Sequence, residues 1–447
     1  MTFIAPSFPE RSLPLDAAAE PAAARQRMIR GYFMLLAFFC FFPYPALSLG
    51  NRTGLQISQM MTLAIAPVLL LGAPTRAIYA YIILAGPRLI SAFYGVMRPD
   101  APEIDIIPKE AVSSLLAVCP LLASTRLFRT DSFRTLLVGV SIAVIAHSLL
   151  GFYQVYAFSH DEYPFLFLYR NPSFKEMSTW AEVYAIYVKR PCGLFPEPSA
   201  LAAAVGPWLV VLAGILADPV ARARYCPAKF PRWLYGGAAL AGFVLLSLSR
   251  SGLAPMVLLA VIVAVLAQAR ALVRALGPKA LVAGLGVTAF AGAGVLYFVT
   301  STGENLDARI ESSWGIRTLS IVTGLTANTK PLDVMFGVGP GQSTVIIRKI
   351  LAGVPLSKGQ DDMAIWSLTV AYYMESGALA AFAMLAVLTM ICRALFLSSA
   401  RLLGLAALGV WTVGVTLTTS YPHLSSIWLF LGALLEWDRI FPARTDS

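Results

Sequence analysis

Arg190 and Glu197 lie in a stiff stretch, "KRPCGLFPEPSA" (189–200), in which Pro191, Pro196 and Pro198 fix φ and remove backbone donors. The stretch therefore holds a guanidinium and a carboxylate in set positions just before the apolar run Leu201–Ala217. A placed carboxylate can take a proton from a hydroxyl, for a rate gain of about 10²–10⁴. The same residues also read as a plain helix start, with an acid favoured by the dipole. "SLSRSGLAP" (247–255) puts Arg250 in a connection of a few residues between two apolar runs, either to reach lipid phosphate or to hold a ligand. "DARIESSWGIRTLS" (307–320) sets Arg309 and Arg317 on one face of a helix, with Trp314 between them. Guanidinium forks suit phosphate oxygens, and an indole suits the apolar face of a sugar ring; a solvated amphipathic helix is the plain alternative.

Two further stretches carry glycines or acids. "MFGVGPGQS" (335–343) lacks a Walker lysine and a βαβ setting, so it reads as a tight exposed turn rather than a nucleotide loop. "KGQDDMAIWSLTVAYYMESGALA" (358–380) brings Asp361 and Asp362 to the start of an apolar run, as caps or as acid/base groups. Glu375 follows thirteen residues after Asp362, about 20 Å along a helix and so near the middle of a bilayer. Arg88, in "LAGPRLI", is expected at similar depth. Isolated charges there are costly, so the pair is expected to meet or to line one cavity. Of the three histidines, His147 reads as a core residue, while His160 and His423 face outward.

The elements that must carry these groups are membrane helices. The chain has 447 residues, of which 58% are hydrophobic and only 13% charged. A soluble protein of this length needs more charge to cover its surface. Apolar runs of about 20 residues recur along it. Twelve helices are read, at 31–50, 54–73, 77–97, 109–125, 135–158, 195–217, 233–249, 252–268, 280–299, 363–391, 402–419 and 424–437. They form one membrane domain, 31–437, between a flexible cytoplasmic tail at 1–30 and a short cytoplasmic tail at 438–447. Arg76, Arg126, Arg129, Arg134, Arg222, Arg224, Lys229, Arg232, Arg270, Arg274, Lys279, Arg393 and Arg401 crowd the loops of one side, which is therefore cytoplasmic. Two long segments, 159–194 and 300–362, face outward and hold nearly all the candidate chemistry. No nucleotide is expected there, so an enzyme of this design would use a substrate activated on a lipid. The net charge of +10 reflects basic loops facing anionic lipid and not nucleic acid. The five cysteines are scattered, and the chain has no CxxC or Cys/His cluster for a structural metal.

The order of these motifs resembles the O-antigen polymerase and ligase superfamily. An outer R…G-x-F-x-E-P element precedes a helix, then come a hairpin with "SRSG", a long outer loop with two arginines and "FGVGPG", and a helix with E-x-G; together they span roughly 140–395. The resemblance implies an all-α, GT-C-like, metal-independent and cofactor-free glycosyltransferase of a bacterial inner membrane, acting at its periplasmic face. Its donor would be a glycan on undecaprenyl diphosphate, and its partners would include other polysaccharide assembly proteins, such as a flippase and a chain-length regulator. A polymerase would move the growing glycan onto the next lipid-linked repeat unit; a ligase would move it onto lipid A–core. By motif position, Arg190, Arg250, Arg317 and Arg309 would hold the diphosphate or glycan. Ligases of the family carry a histidine about eleven residues before the Gly of E-x-G, where this chain has Trp366–Ser367. That departure favours a polymerase, with Asp361, Asp362 or Glu197 as the base. Trp180, Trp314 and Tyr169 are candidates to stack on sugars. A secondary transporter or lipid-linked oligosaccharide flippase is the competing expectation, because Arg88 and Glu375 fit it as well.

Overall fold

Pro43 and Pro45 lack the N–H groups that would continue the first helix, and it ends at Cys40, short of the expected position 50. The chain turns instead through a two-stranded antiparallel hairpin, β1 (Ala46–Ser48) on β2 (Gly54–Gln56). The computed structural model describes residues 15–44, 46–48, 54–70, 76–98, 103–126, 130–169, 171, 186, 189–251, 253–268, 313–351, 367–419 and 421–443. Among them the fold is otherwise helical. In chain order the helices are α1 Leu15–Cys40, α2 Ile57–Leu70, α3 Arg76–Met97, α4 Ile106–Val118, α5 Thr130–Ser159, α6 Pro198–Ala217, α7 Pro219–Tyr225, α8 Lys229–Leu248, α9 Ala254–Gln268, α10 Ser313–Thr326, α11 Pro331–Phe336, α12 Gln342–Leu351, α13 Leu368–Phe396, α14 Arg401–Val413, α15 Ser425–Leu435 and α16 Trp437–Ile440. A 3₁₀ stretch, Cys119–Arg126, extends α4.

Among the described residues, five helical stretches are long and apolar enough to cross a membrane: Arg76–Met97, Ile106–Ser124, Asp131–Ser159, Pro198–Ala217 and Leu368–Phe396. The predicted span 280–299 lies outside the described residues. Residues 15–30, expected as a flexible tail, continue α1; this stretch is alanine-rich, and alanine is the best helix former. Arg30 and Gln26 then reach Asp131 of α5, at 2.9 and 2.8 Å.

Hydrogen bonds sort the helix ends into two sets. At one end Arg76 pairs with Asp438 at 2.6 Å, Arg134 donates to the Arg224 carbonyl at 2.8 Å, and the Trp437 indole donates to the Ala400 carbonyl at 3.1 Å. At the other end Gln56 donates to the His423 carbonyl at 2.6 Å, Leu368 N–H to the Thr419 carbonyl at 2.7 Å, and Arg190 to the Ser249 carbonyl at 2.7 Å. The first set holds basic loops, and the second holds the motif-bearing loops. α6 runs between the two ends through the middle of the bundle, with Trp208 fully buried edge-to-face on Phe430 at 5.2 Å. Phe93, Met97, Phe382 and Leu385 stand exposed on α3 and α13, an outward apolar face that suits lipid tails.

Candidate functional site

Arg190 reaches across to the hairpin between α8 and α9. Its Nε donates to the Ser249 carbonyl at 2.7 Å, and its Nη2 donates to the Arg250 carbonyl at 2.5 Å. The elbow and the "SRSG" turn, far apart in sequence, are thus one unit. Arg250 is exposed at φ +50°, and Lys189 beside Arg190 is exposed at φ +48°. Non-glycine residues rarely adopt that left-handed conformation, and where surroundings enforce it the site is often functional. Lys189 also pairs with Asp161 at 2.8 Å. Glu197 sits at the N-cap position of α6, but its side chain makes no capping bond. It is 5% exposed, and its carboxylate accepts from the Ser199 hydroxyl at 2.5 Å.

A second cluster forms where the glycine loop meets α13. At Gly377 (φ +66°, ψ −162°) the helix breaks, which removes the helical partners of nearby carbonyls. The loop supplies replacements: Val338 N–H donates to the Met374 carbonyl at 3.0 Å and Gly339 N–H to the Glu375 carbonyl at 3.1 Å. Asn328 adds a bond to Met374 O at 3.3 Å. The "FGVGPG" and E-x-G motifs are therefore two halves of one joint. Gly337 (φ +77°) and Gly377 approach so closely that a Cβ on either would lie 2.3 Å from backbone of the other segment. The loop's far side is fixed by Asp333, which accepts from the Tyr94 hydroxyl at 2.9 Å and faces Arg98 at 3.4 Å.

Below this joint Arg88 and Glu375 meet at 2.5 Å, both nearly inaccessible. The Ser343 hydroxyl donates to the second carboxylate oxygen, and the Ser91 hydroxyl donates to the Glu375 carbonyl. Arg88 lies 4.2 Å over the Tyr372 ring, within cation–π range. The expected start of the helix that carries Glu375 needs correction. α13 starts at Leu368, capped by the Ser367 hydroxyl on Val370 N–H at 3.2 Å, so the expected start at 363 is five residues early. Glu375 is thus seven residues, or about 10 Å, into the helix. It lies within reach of Ser343 on α12.

Glu110 and His423 adjoin this cluster, and no motif in the sequence marks them. His423 Nδ1 lies 3.2 Å from the Ser113 hydroxyl, and its Nε2 lies 3.9 Å from the Glu110 carboxylate. Burial first, and then the Arg88 charge, hold the His423 imidazole down at about 4. Between pH 4 and the unfolded value of about 6.5, the unfolded chain binds a proton that the folded chain refuses. Folding stability from this residue is complete above pH 6.5 and falls as pH drops toward 4, by up to about 3 kcal/mol. The expected result is that His423→Gln flattens the fall of the thermal midpoint between pH 6.5 and 4 relative to wild type; parallel curves would refute it.

Several expected site residues lie elsewhere. Arg309, Asp361, Asp362 and Trp180 are outside the described residues. Trp314 and Arg317 are on α10, and their side chains are outside the described set. Tyr169 is not a sugar platform: it is 5% exposed, packs edge-on against Tyr44, and its hydroxyl donates to the Gly193 carbonyl. His147 is a core residue as expected, taking the Leu194 N–H on Nδ1 at 3.1 Å and bonding the Phe41 carbonyl through Nε2 at 2.7 Å. All five cysteines are free. Among the described residues no group of His, Cys, Asp or Glu could hold a metal ion. No protein-family model matches the chain, and no curated protein is significantly similar to it.

Proposed function

We propose that this chain is a polysaccharide polymerase of the bacterial inner membrane, transferring a growing glycan from undecaprenyl diphosphate onto the next lipid-linked repeat unit at the periplasmic face. The observation that carries this reading is the Arg190 contact with the 249–250 turn, which gathers Arg190, Arg250 and Lys189 at the motif-bearing end of the bundle. Cleaving a sugar–diphosphate bond sends negative charge onto the leaving phosphate. Fixed cations at a water-poor rim stabilise that charge without reorganising. In this arrangement Arg250 meets the diphosphate, together with Arg317 and Arg309 of the outer segment, and Arg190 sets the turn that presents it. The acceptor hydroxyl attacks the anomeric carbon as the bond to phosphate breaks, and its proton passes to a carboxylate. The enclosure of Glu197 against Ser199 favours Asp361 or Asp362 for that role. Trp314 offers a face to the glycan. In this reading twelve helices of GT-C type cross the membrane with both termini cytoplasmic, and neither metal nor cofactor takes part.

The transporter reading needs helix carbonyls offered to a passing ion at a broken helix. At Gly377 the Met374 and Glu375 carbonyls accept loop N–H groups instead, which weighs against an ion site at this break. The test is reconstitution in liposomes with synthetic undecaprenyl-diphosphate repeat units and no metal or nucleotide. Wild type is expected to produce a ladder of lipid-linked oligomers. Arg250→Ala is expected to slow it by roughly 10²–10³-fold. Product appearing only when lipid A–core is supplied would make the chain a ligase. Substrate flux without any new glycosidic bond would make it a transporter.

A further inference from the structure

Gln154 on α5 is fully buried, yet it lies inside no sequence motif. Its Oε1 accepts from the N–H groups of Cys192 at 3.0 Å and Gly193 at 2.9 Å. Its Nε2 donates to the Gly193 carbonyl at 3.0 Å and the Tyr169 hydroxyl at 2.9 Å. A glutamine amide offers two donors and two acceptor positions, and all four are used. About two turns earlier on α5, His147 takes the next N–H, that of Leu194. Three successive amides of the elbow are therefore held by side chains of one helix, where a strand or helix ladder would otherwise satisfy them. Gly193 sits at φ +59°, with space for a Cβ blocked by His147 Nδ1 at 2.5 Å. Three residues before it, Arg190 grips the carbonyls of Ser249 and Arg250.

We propose that Gln154 is a positioning residue for the basic rim: by clamping Cys192 and Gly193 it fixes the reach of Arg190, and through Arg190 it aims Arg250. This rests on the functional reading above, in which Arg250 meets a prenyl diphosphate. The chemistry of the side chain is specific. Leucine fills similar volume but leaves the amides of Cys192 and Gly193 without their acceptor and the Gly193 carbonyl with the Tyr169 hydroxyl alone, and glutamate keeps the acceptors but loses both donors. Gln154 need not touch substrate for its loss to be felt, because a displacement of an ångström or so at a charged clamp is costly.

The experiment is a double-mutant cycle on binding of a short-chain prenyl diphosphate to protein in nanodiscs, joined to hydrogen exchange of the peptide spanning 189–196. Gln154→Leu is expected to weaken binding by about tenfold and to speed exchange of the elbow amides. In an Arg250→Ala background the same change is expected to cost little more, because its effect acts through Arg250. Tyr169→Phe removes two outer bonds of the clamp, from Gln154 and to the Gly193 carbonyl, but leaves both amides held; it is expected to fold and to shift both readouts in the same direction by less. Equal tenfold losses in both backgrounds would show that Gln154 acts through general packing, and would overturn the proposal. Unchanged exchange in Gln154→Leu would overturn the clamp itself. If Arg250→Ala binds like wild type while the elbow loosens in Gln154→Leu, the clamp stands, and the diphosphate reading fails together with the positioning role of Gln154.

Discussion

Arg88→Leu is expected to lose about 3–5 kcal/mol of stability, the scale for removing one partner of a buried ion pair. The variant leaves the Glu375 carboxylate enclosed with the Ser343 hydroxyl on one oxygen and no cation on the other. It also strips the guanidinium from the face of Tyr372. Arg88→Leu/Glu375→Gln removes both charges, and the glutamine can still accept from Ser343. The double variant is therefore expected to recover much of the loss, giving a higher thermal midpoint and more folded protein from membranes than the single change. A domain of ordinary stability has only about 5–15 kcal/mol in hand, so the difference is large enough to read from yield alone. Losses that simply add across the two positions would show that the residues do not act as a pair.

Gly377→Ala is expected to be comparably severe, for a steric reason. At φ +66° and ψ −162° the backbone occupies a region that is essentially open to glycine alone, and forcing a side chain there costs about 1–3 kcal/mol before any contact is made. The new Cβ would also stand 2.3 Å from the Met335 carbonyl oxygen and 2.6 Å from Gly337 N. Both obstacles are backbone, so no rotamer change relieves them. Either α13 straightens or the loop lifts away, and in both cases Val338 and Gly339 lose their acceptors. The expected result is a drop in thermal midpoint with faster amide exchange over 335–343. Gly237→Ala on α8 is the control: nothing lies within 4 Å of its added Cβ, and the helix should gain up to about 1 kcal/mol. Equal behaviour of the two variants would refute the joint.

Composition and periodicity make the helical character legible, because a long apolar run has few ways to satisfy its backbone except as a helix. The stops are harder to read. Pro43 and Pro45 mark the end of α1 but stand within a continuing apolar stretch, and Ser367 is a less conspicuous cap than Asp361 and Asp362. The Arg88–Glu375 pair is legible because two buried charges of opposite sign leave little choice of partner. The distance of Glu375 from the helix start is not, because a count from Asp362 begins too early.

By itself the sequence determined which residues need special surroundings: glycines that tolerate positive φ, charges that cannot be left alone in an apolar bundle, and prolines that stiffen an elbow. Those are local properties of a side chain and its own backbone. Only the tertiary structure decided who answers each need. Gln154 meets the amides of Cys192 and Gly193, Arg190 meets the turn at 249–250, Val338 and Gly339 fill the break at Gly377, and Glu110 comes to face His423. Each of these partners is one ordinary polar group among many. Its role arises from which helix ends the packing brings to the same face of the bundle, and a single chain written out in one dimension does not carry that distance.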